Sequence, residues 1–225
     1  MSHAAPDQRL YGVYPALVTE ITDPEGQGRV KVKLPWAPDP SGVTYEVWAR
    51  IATMFAGPTQ GSWFIPDVDH EVLVCFEGGN PRHPYVIGAL WNGKDNPPAA
   101  MDGGGKNEIK RLQSRNGLVI TMSDKDGQES IELQTPGGQS ITIKDGPGEI
   151  ELADAAGNSI KLESAGITVM SSAKVTIQAS TVEVTAGSVT VNAGMSQFSG
   201  VVQCSTLITN SVVSASYTPG AGNIW

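Results

Sequence analysis

The C-terminal half of this 225-residue chain repeats one short pattern, and that pattern limits what the chain can fold into. An apolar–x–apolar triplet recurs as Ile131-Glu132-Leu133, Ile141-Thr142-Ile143, Ile150-Glu151-Leu152, Ile160-Lys161-Leu162 and Ile167-Thr168-Val169. It continues as Val175-Thr176-Ile177, Val182-Glu183-Val184 and Val189-Thr190-Val191. The triplets start 10, 9, 10, 7, 8, 7 and 7 residues apart. Alternation with a period of two marks a strand with one dry face. The early units are joined by DKDG, TPGG, DGPG and AAGN, all of them turn chemistry. Later joints shrink to Ser, Ala, Gly and Thr, so the pattern tightens toward the C-terminus.

A ribbon this narrow cannot enclose a core by itself. Two architectures give its strands neighbours. One is a single-chain parallel β-helix, each coil taking three consecutive units. The other is three identical chains wound around one axis, each hiding the strand edges of the others. The short, irregular repeat and the absence of coil-end caps favour the trimer. Its core is then predicted at Ile131, Leu133, Ile141, Ile143, Ile150, Leu152, Ile160 and Leu162, and further along at Val175, Ile177, Val182, Val184, Val189 and Val191. Ile120 and Met122 form a leading unit of the same kind.

The first half has another grammar. Residues 1–105 hold 11 of the 14 aromatic residues and 12 of the 15 prolines. Five strand-like runs (14–22, 28–36, 44–52, 69–79 and 84–93) are separated by turn clusters. In the second, Val30, Val32 and Leu34 alternate with Arg29, Lys31 and Lys33. No helical periodicity stands out, apart from a short turn near 53–60. Five short strands fit a small closed barrel such as an OB-fold. The Gly-, Pro- and Asn-rich stretch 92–107 reads as a linker. The expected organisation is an N-terminal segment (1–10), an OB-fold domain (11–93), a linker and lead-in (94–117) and a spike (118–225). The fold class is all-β: an N-terminal OB-fold barrel followed by a C-terminal intertwined homotrimeric β-helix.

The stretches GRVKVKLPW (28–36), VWARIATMFAG (47–57) and GSWFIPDVDHEVLVCFEGGNPRHPYVIGALWNG (61–93) resemble the OB-fold domain of contractile-tail spikes. This is the family of phage baseplate assembly protein V and the type VI secretion valine-glycine repeat spikes. Arg115-Asn116-Gly117, Ser123-Asp124, Gly127 and Glu129-Ser130-Ile131 resemble the start of their trimeric β-helix. The resemblance covers residues 11–195. It implies a homotrimeric spike at the centre of a baseplate, with the barrels toward hub and tube and the β-helix toward the target envelope. Sheath contraction would drive it forward, so envelope contact is mechanical and no substrate is turned over. It also implies assembly in the bacterial cytoplasm and a place in a phage virion, tailocin or related contractile injection particle.

The departures from the family carry expectations too. Only residues 1–10 precede the barrel, so the hub is expected to be a separate protein. The segment 92–117 is too short for the lysozyme domain that some phage spikes insert. Spikes that bind iron at the apex use His-x-His, whereas the histidines here are His3, His70 and His83, so no metal is expected. The chain ends YTPGAGNIW, and Tyr217, Ile224 and Trp225 are expected to shape a blunt end for a separate tip protein of the proline-alanine-alanine-arginine repeat type.

Little in the sequence argues for chemistry. Asp67, Asp69, His70 and Glu71 stand together, but PDVDHEV reads as a charged turn before a strand; His83 lies in a loop beside prolines. Arg29, Lys31 and Lys33, with Trp36 near, make the kind of stripe on which an OB-fold can grip single strands. Yet residues 1–105 hold 12 acids against 7 bases and the net charge is −8, so no nucleic-acid partner is expected. Cys75 and Cys204 are too few for a disulfide framework and are expected to be buried small hydrophobes. No G-x-S-x-G, phosphate loop or calcium nonapeptide repeat occurs, and Asp102-Gly-Gly-Gly reads as a flexible joint. No catalytic residue or cofactor is expected. A glycan-degrading tailspike also fits a trimeric β-helix but needs paired carboxylates and stacking aromatics. Residues 164–225 offer only Lys174 and Glu183 as charges, and Val184 to Trp225 carry none. A passive adhesin would need outer-face anchors, which are few here. No apolar run reaches the roughly 18 residues of a membrane span, and no secretory signal opens the chain.

Overall fold

The computed structural model describes residues 9–38 and 44–216. Among them there is no α-helix, and the chain divides into two units, Met1–Val175 and Thr176–Trp225.

The first unit opens with β1 (Val13–Glu20), β2 (Val30–Pro38) and β3 (Thr44–Ile51). Two two-residue strands follow, β4 (Ala56–Gly57) and β5 (Gln60–Gly61), then β6 (Glu71–Phe76) and β7 (Pro84–Ala89). Strands β1-β2-β3-β7-β6 close into a barrel, so all five expected runs are strands of one sheet without a free edge. The segment near 53–60, expected to hold a short turn, is the β4–β5 hairpin.

Closure gives the alternating pattern its inside. Ala16, Val18, Val30, Val32, Leu34, Val72, Val74, Phe76 and Val86 form one buried cluster with Ala49. The register Val18↔Val32 puts two of them face to face. The single parallel pair, β3 with β7, completes the ring. The turn from β1 to β2 is organised by one side chain. The Asp23 carboxylate accepts the backbone N–H groups of Glu25 (3.0 Å) and Gln27 (2.8 Å) and pairs with Arg29 at 2.7 Å. Those contacts hold its carboxyl well below the ordinary 3.8.

A seven-stranded antiparallel meander follows: β8 (Ile109–Gln113), β9 (Val119–Ser123), β10 (Ser130–Gln134), β11 (Ser140–Lys144), β12 (Glu149–Ala153), β13 (Ser159–Glu163) and β14 (Gly166–Met170). Strand β8 lies inside 94–117, the stretch expected to be linker and lead-in. Asp102, expected in a flexible joint, anchors an ordered turn: its carboxylate accepts the N–H groups of Gly104 (3.1 Å), Lys106 (2.8 Å) and Glu108 (3.2 Å). The hairpin turns are the joints read from the sequence. Thr135–Gln139 closes with Gly138 at φ 85°, and Asp154–Asn158 with Gly157 at φ 85°. Glycine adopts that left-handed conformation without steric cost.

In the second unit, the described residues 176–216 form no strand, although the triplets at 182–184 and 189–191 lie there. Cys204, expected to be buried, is exposed in the single chain, and Cys75 is half-buried. Tyr217, Ile224 and Trp225 lie outside the described residues.

Leu34 is a fully buried side chain of the barrel. Leu34→Ala is expected to destabilise the barrel by about 2–5 kcal/mol, to be checked by urea unfolding followed through tryptophan fluorescence.

Candidate subunit interface

The pairing registers arrange the meander as rows running across the strands. One row is Met122, Ile131, Ile143, Ile150, Leu162 and Ile167; a second is Leu112, Ile120, Leu133, Ile141, Leu152, Ile160 and Val169. Residues two apart in a strand share a face, so both rows lie on one side of the sheet. Between them, on the other side, run Arg111, Thr121, Glu132, Thr142, Glu151, Lys161 and Thr168.

Burial is inverted relative to an ordinary sheet. From Ile120 to Leu162 the apolar rows are 37–44% exposed, and Ile167 reaches 70%. The polar residues beside them, such as Thr142, Glu151 and Lys161, are half-buried. Apolar patches of this extent on a soluble chain mark a contact surface. Eight of the predicted core residues, Ile131, Leu133, Ile141, Ile143, Ile150, Leu152, Ile160 and Leu162, are brought together here. Ile177, Val182, Val184, Val189 and Val191 lie exposed in the second unit, and Val175 ends the first.

The polar face is tied internally. Glu149 pairs with Lys144 at 2.7 Å and Lys161 at 2.8 Å, and Lys161 also reaches Glu163 at 3.0 Å. The two ammonium groups hold the Glu149 carboxyl below its ordinary 4.5, and both lysines are raised in return.

The candidates for chemistry are taken up by structure. Asp67 pairs with Arg115 of the β8–β9 turn at 2.9 Å, and its N–H donates to His70 Nδ1 at 3.2 Å. The Asp69 N–H donates to the Val18 carbonyl at 2.9 Å. Glu71 accepts from the Asn92 amide at 2.8 Å, and His83 lies 3.6 Å from Glu77. Among the described residues no three His, Cys, Asp or Glu are placed to hold a metal ion. The basic stripe is largely neutralised by the chain's own acids: Arg29 pairs with Asp23 and Glu25, and Lys31 with Glu20. Sequence reasoning passed over the segment around β4 and β5, where Met54, Phe55, Trp63 and Phe64 are exposed. The signal was present: no charged residue occurs from Ile51 to Pro66, yet three aromatics do.

The barrel, from the second residue of β1 onward, lies within a match, over residues 14–91, to the type VI secretion system/phage-baseplate injector OB domain. The strands of the inverted sheet from β10 onward fall within a second match, residues 130–196, to the phage baseplate V C-terminal trimerisation domain. The chain belongs to the phage baseplate V and type VI secretion spike family. It is similar to the type VI secretion system spike protein VgrG3 of Vibrio cholerae, 30% identical over 128 residues, which is 52% of this chain and 13% of that protein. It is likewise similar to the spike protein VgrG5 of Pseudomonas aeruginosa, 31% identical over 151 residues, 56% of this chain and 19% of that protein. The actin cross-linking toxin VgrG1 of Vibrio cholerae is 27% identical over 128 residues, again 52% of this chain and 12% of the relative. The match thus spans less than a fifth of each of these spike-family proteins.

Because the Glu149 carboxyl is held below 4.5, its ion pairs stabilise the sheet fully above that pH. That contribution is lost as pH falls through the lowered value. Glu149→Gln is expected to reduce thermal stability at pH 7 and to flatten the decline between pH 5 and pH 2, as read from melting curves across that range.

Proposed function

We propose that three copies of this chain form the central spike of a contractile injection machine, and that the spike acts as a structural, non-enzymatic rod. The observation that carries this reading is the pair of apolar rows crossing six and seven strands, whose members from Ile120 to Leu162 are left about two-fifths exposed. A single-layer sheet must bury such a face against another layer. Three sheets around one axis bury all three faces against one another, in line with the match to a trimerisation domain. Six inter-strand gaps at about 4.8 Å make this part of the rod roughly 29 Å long.

The tightening repeat supports a change in how the strands pair. In β10–β13 the triplets start 9 or 10 residues apart, enough for a five-residue strand and a turn. From Val175 onward the spacing is 7, the spacing of β13 and β14, which leaves a joint of only two residues. On this reading residues 176–216 take their strand partners from the other two chains, as an intertwined β-helix, with Ile177, Val182, Val184, Val189 and Val191 facing the axis. The segment remains strandless in one chain because its backbone partners belong to other copies.

In the assembled particle the barrels would face a separate hub protein and the uncharged C-terminal end a separate tip protein. The spike would be built in the bacterial cytoplasm and joined to a phage, tailocin or related particle. Its contact with the target envelope would be mechanical.

The purified chain is expected to run as a trimer by light scattering and to resist mild detergent; a monomer at micromolar concentration contradicts the reading. Val184→Asp would place three like charges around one axis and is expected to abolish the trimer. Deleting residues 217–225 should leave the trimer intact while pull-down of a tip protein is lost; retained binding would move the tip contact elsewhere.

A further inference from the structure

The segment around β4 and β5 is built as a display. The Ser62 N–H donates to the Phe55 carbonyl at 3.2 Å, and Thr53 Oγ1 donates to the Ser62 carbonyl at 2.8 Å. Gly28, across from it, leaves room for the Trp63 ring, which a β-carbon there would meet at 3.2 Å. A braced hairpin of this kind holds its side chains in place before any partner arrives. What it holds is apolar: Met54 is 82% exposed, Trp63 76%, Phe64 70% and Phe55 58%. Around it lies a groove of about 860 Å³ that also takes in Arg50 and the 26–28 turn.

We infer that this hairpin is the barrel's share of the contact between copies of the chain, seated against the barrel of a neighbouring copy. The inference rests on the trimeric reading above. Two observations favour a second copy over an unrelated protein. The first is continuity: the Asp67–Arg115 pair at 2.9 Å joins the loop just after the hairpin to the β8–β9 turn, beside Leu112, Leu118 and Ile120, where the apolar face begins. The second is size. Three aromatic side chains of roughly 150–250 Å² each, partly exposed, offer on the order of 400 Å². A free-standing interface needs about 800 Å² on each side. A patch half that size holds only where something else already clamps the partners, and the sheet face just downstream supplies that clamp through effective concentration.

The test is hydroxyl-radical footprinting of the full chain with no other protein present, alongside light scattering of the same sample. Labelling at Trp63 and Phe64 is expected to be largely lost in the native trimer and to return when the chain is unfolded in urea. A trimer in which both residues label as freely as in the unfolded chain overturns the inference while leaving the trimer reading intact. So does labelling that is lost only when a second protein is added. A monomer overturns both. In a second chain, Trp63→Ser with Phe64→Ser should still be a trimer but should label more strongly at Met54 and Phe55. Unchanged protection at those two positions counts against the hairpin contact.

Discussion

A sheet one layer thick has two faces and can satisfy only one of them with water. In this chain the dry face belongs to the seven strands β8–β14, and its apolar rows stand exposed among the described residues. Every other feature of the second half is arranged around that fact. Turns of near-constant length keep Ile131, Ile143, Ile150 and Leu162 in one row and Leu133, Ile141, Leu152 and Ile160 in the next. A slip of one residue in any hairpin would send its two apolar side chains to the wet side. The wet side keeps its own register through charge, with Glu149 between Lys144 and Lys161.

The barrel solves the same problem by closing. Val30, Val32 and Leu34 alternate with charged residues just as Ile141 and Ile143 alternate with polar ones, yet the first three are fully buried and the second pair more than two-fifths exposed. The difference lies in the strand connections. β3 reaches β7 through a parallel pair and makes a ring with an inside. The meander joins each strand only to its neighbours in sequence and stays open. The trimeric reading therefore assigns the two halves different partners: the barrel folds on itself, and the sheet is completed by copies of itself.

Much of this was legible in the sequence, for identifiable reasons. The five barrel runs were bounded by turn residues, so their positions followed from local chemistry. The triplets in 131–169 carried a period that only strands satisfy. Other elements were hidden. β8 falls in the stretch expected to be linker and lead-in, and no strand stood out there because IKRLQ mixes two apolar residues with two bases and carries no triplet signature. The ordered turn at Asp102 looked flexible because glycine counts gave no hint that one carboxylate would gather three N–H groups. Cys204 was judged by the usual habit of its residue type, and the single chain leaves it exposed.

Periodicity and turn chemistry along the chain thus determined where strands of the barrel and meander lie, which residues share a face, and that the narrow ribbon of the second half needs neighbours for its strands. Both are local properties, written in spacings of two and in the joints between units. The sequence alone did not decide which apolar rows would be enclosed by the chain and which left bare, because enclosure depends on which strand pairs with which. That was decided in the tertiary structure, where one parallel pairing closes the barrel and its absence leaves the seven-stranded sheet open with its hydrophobic side outward.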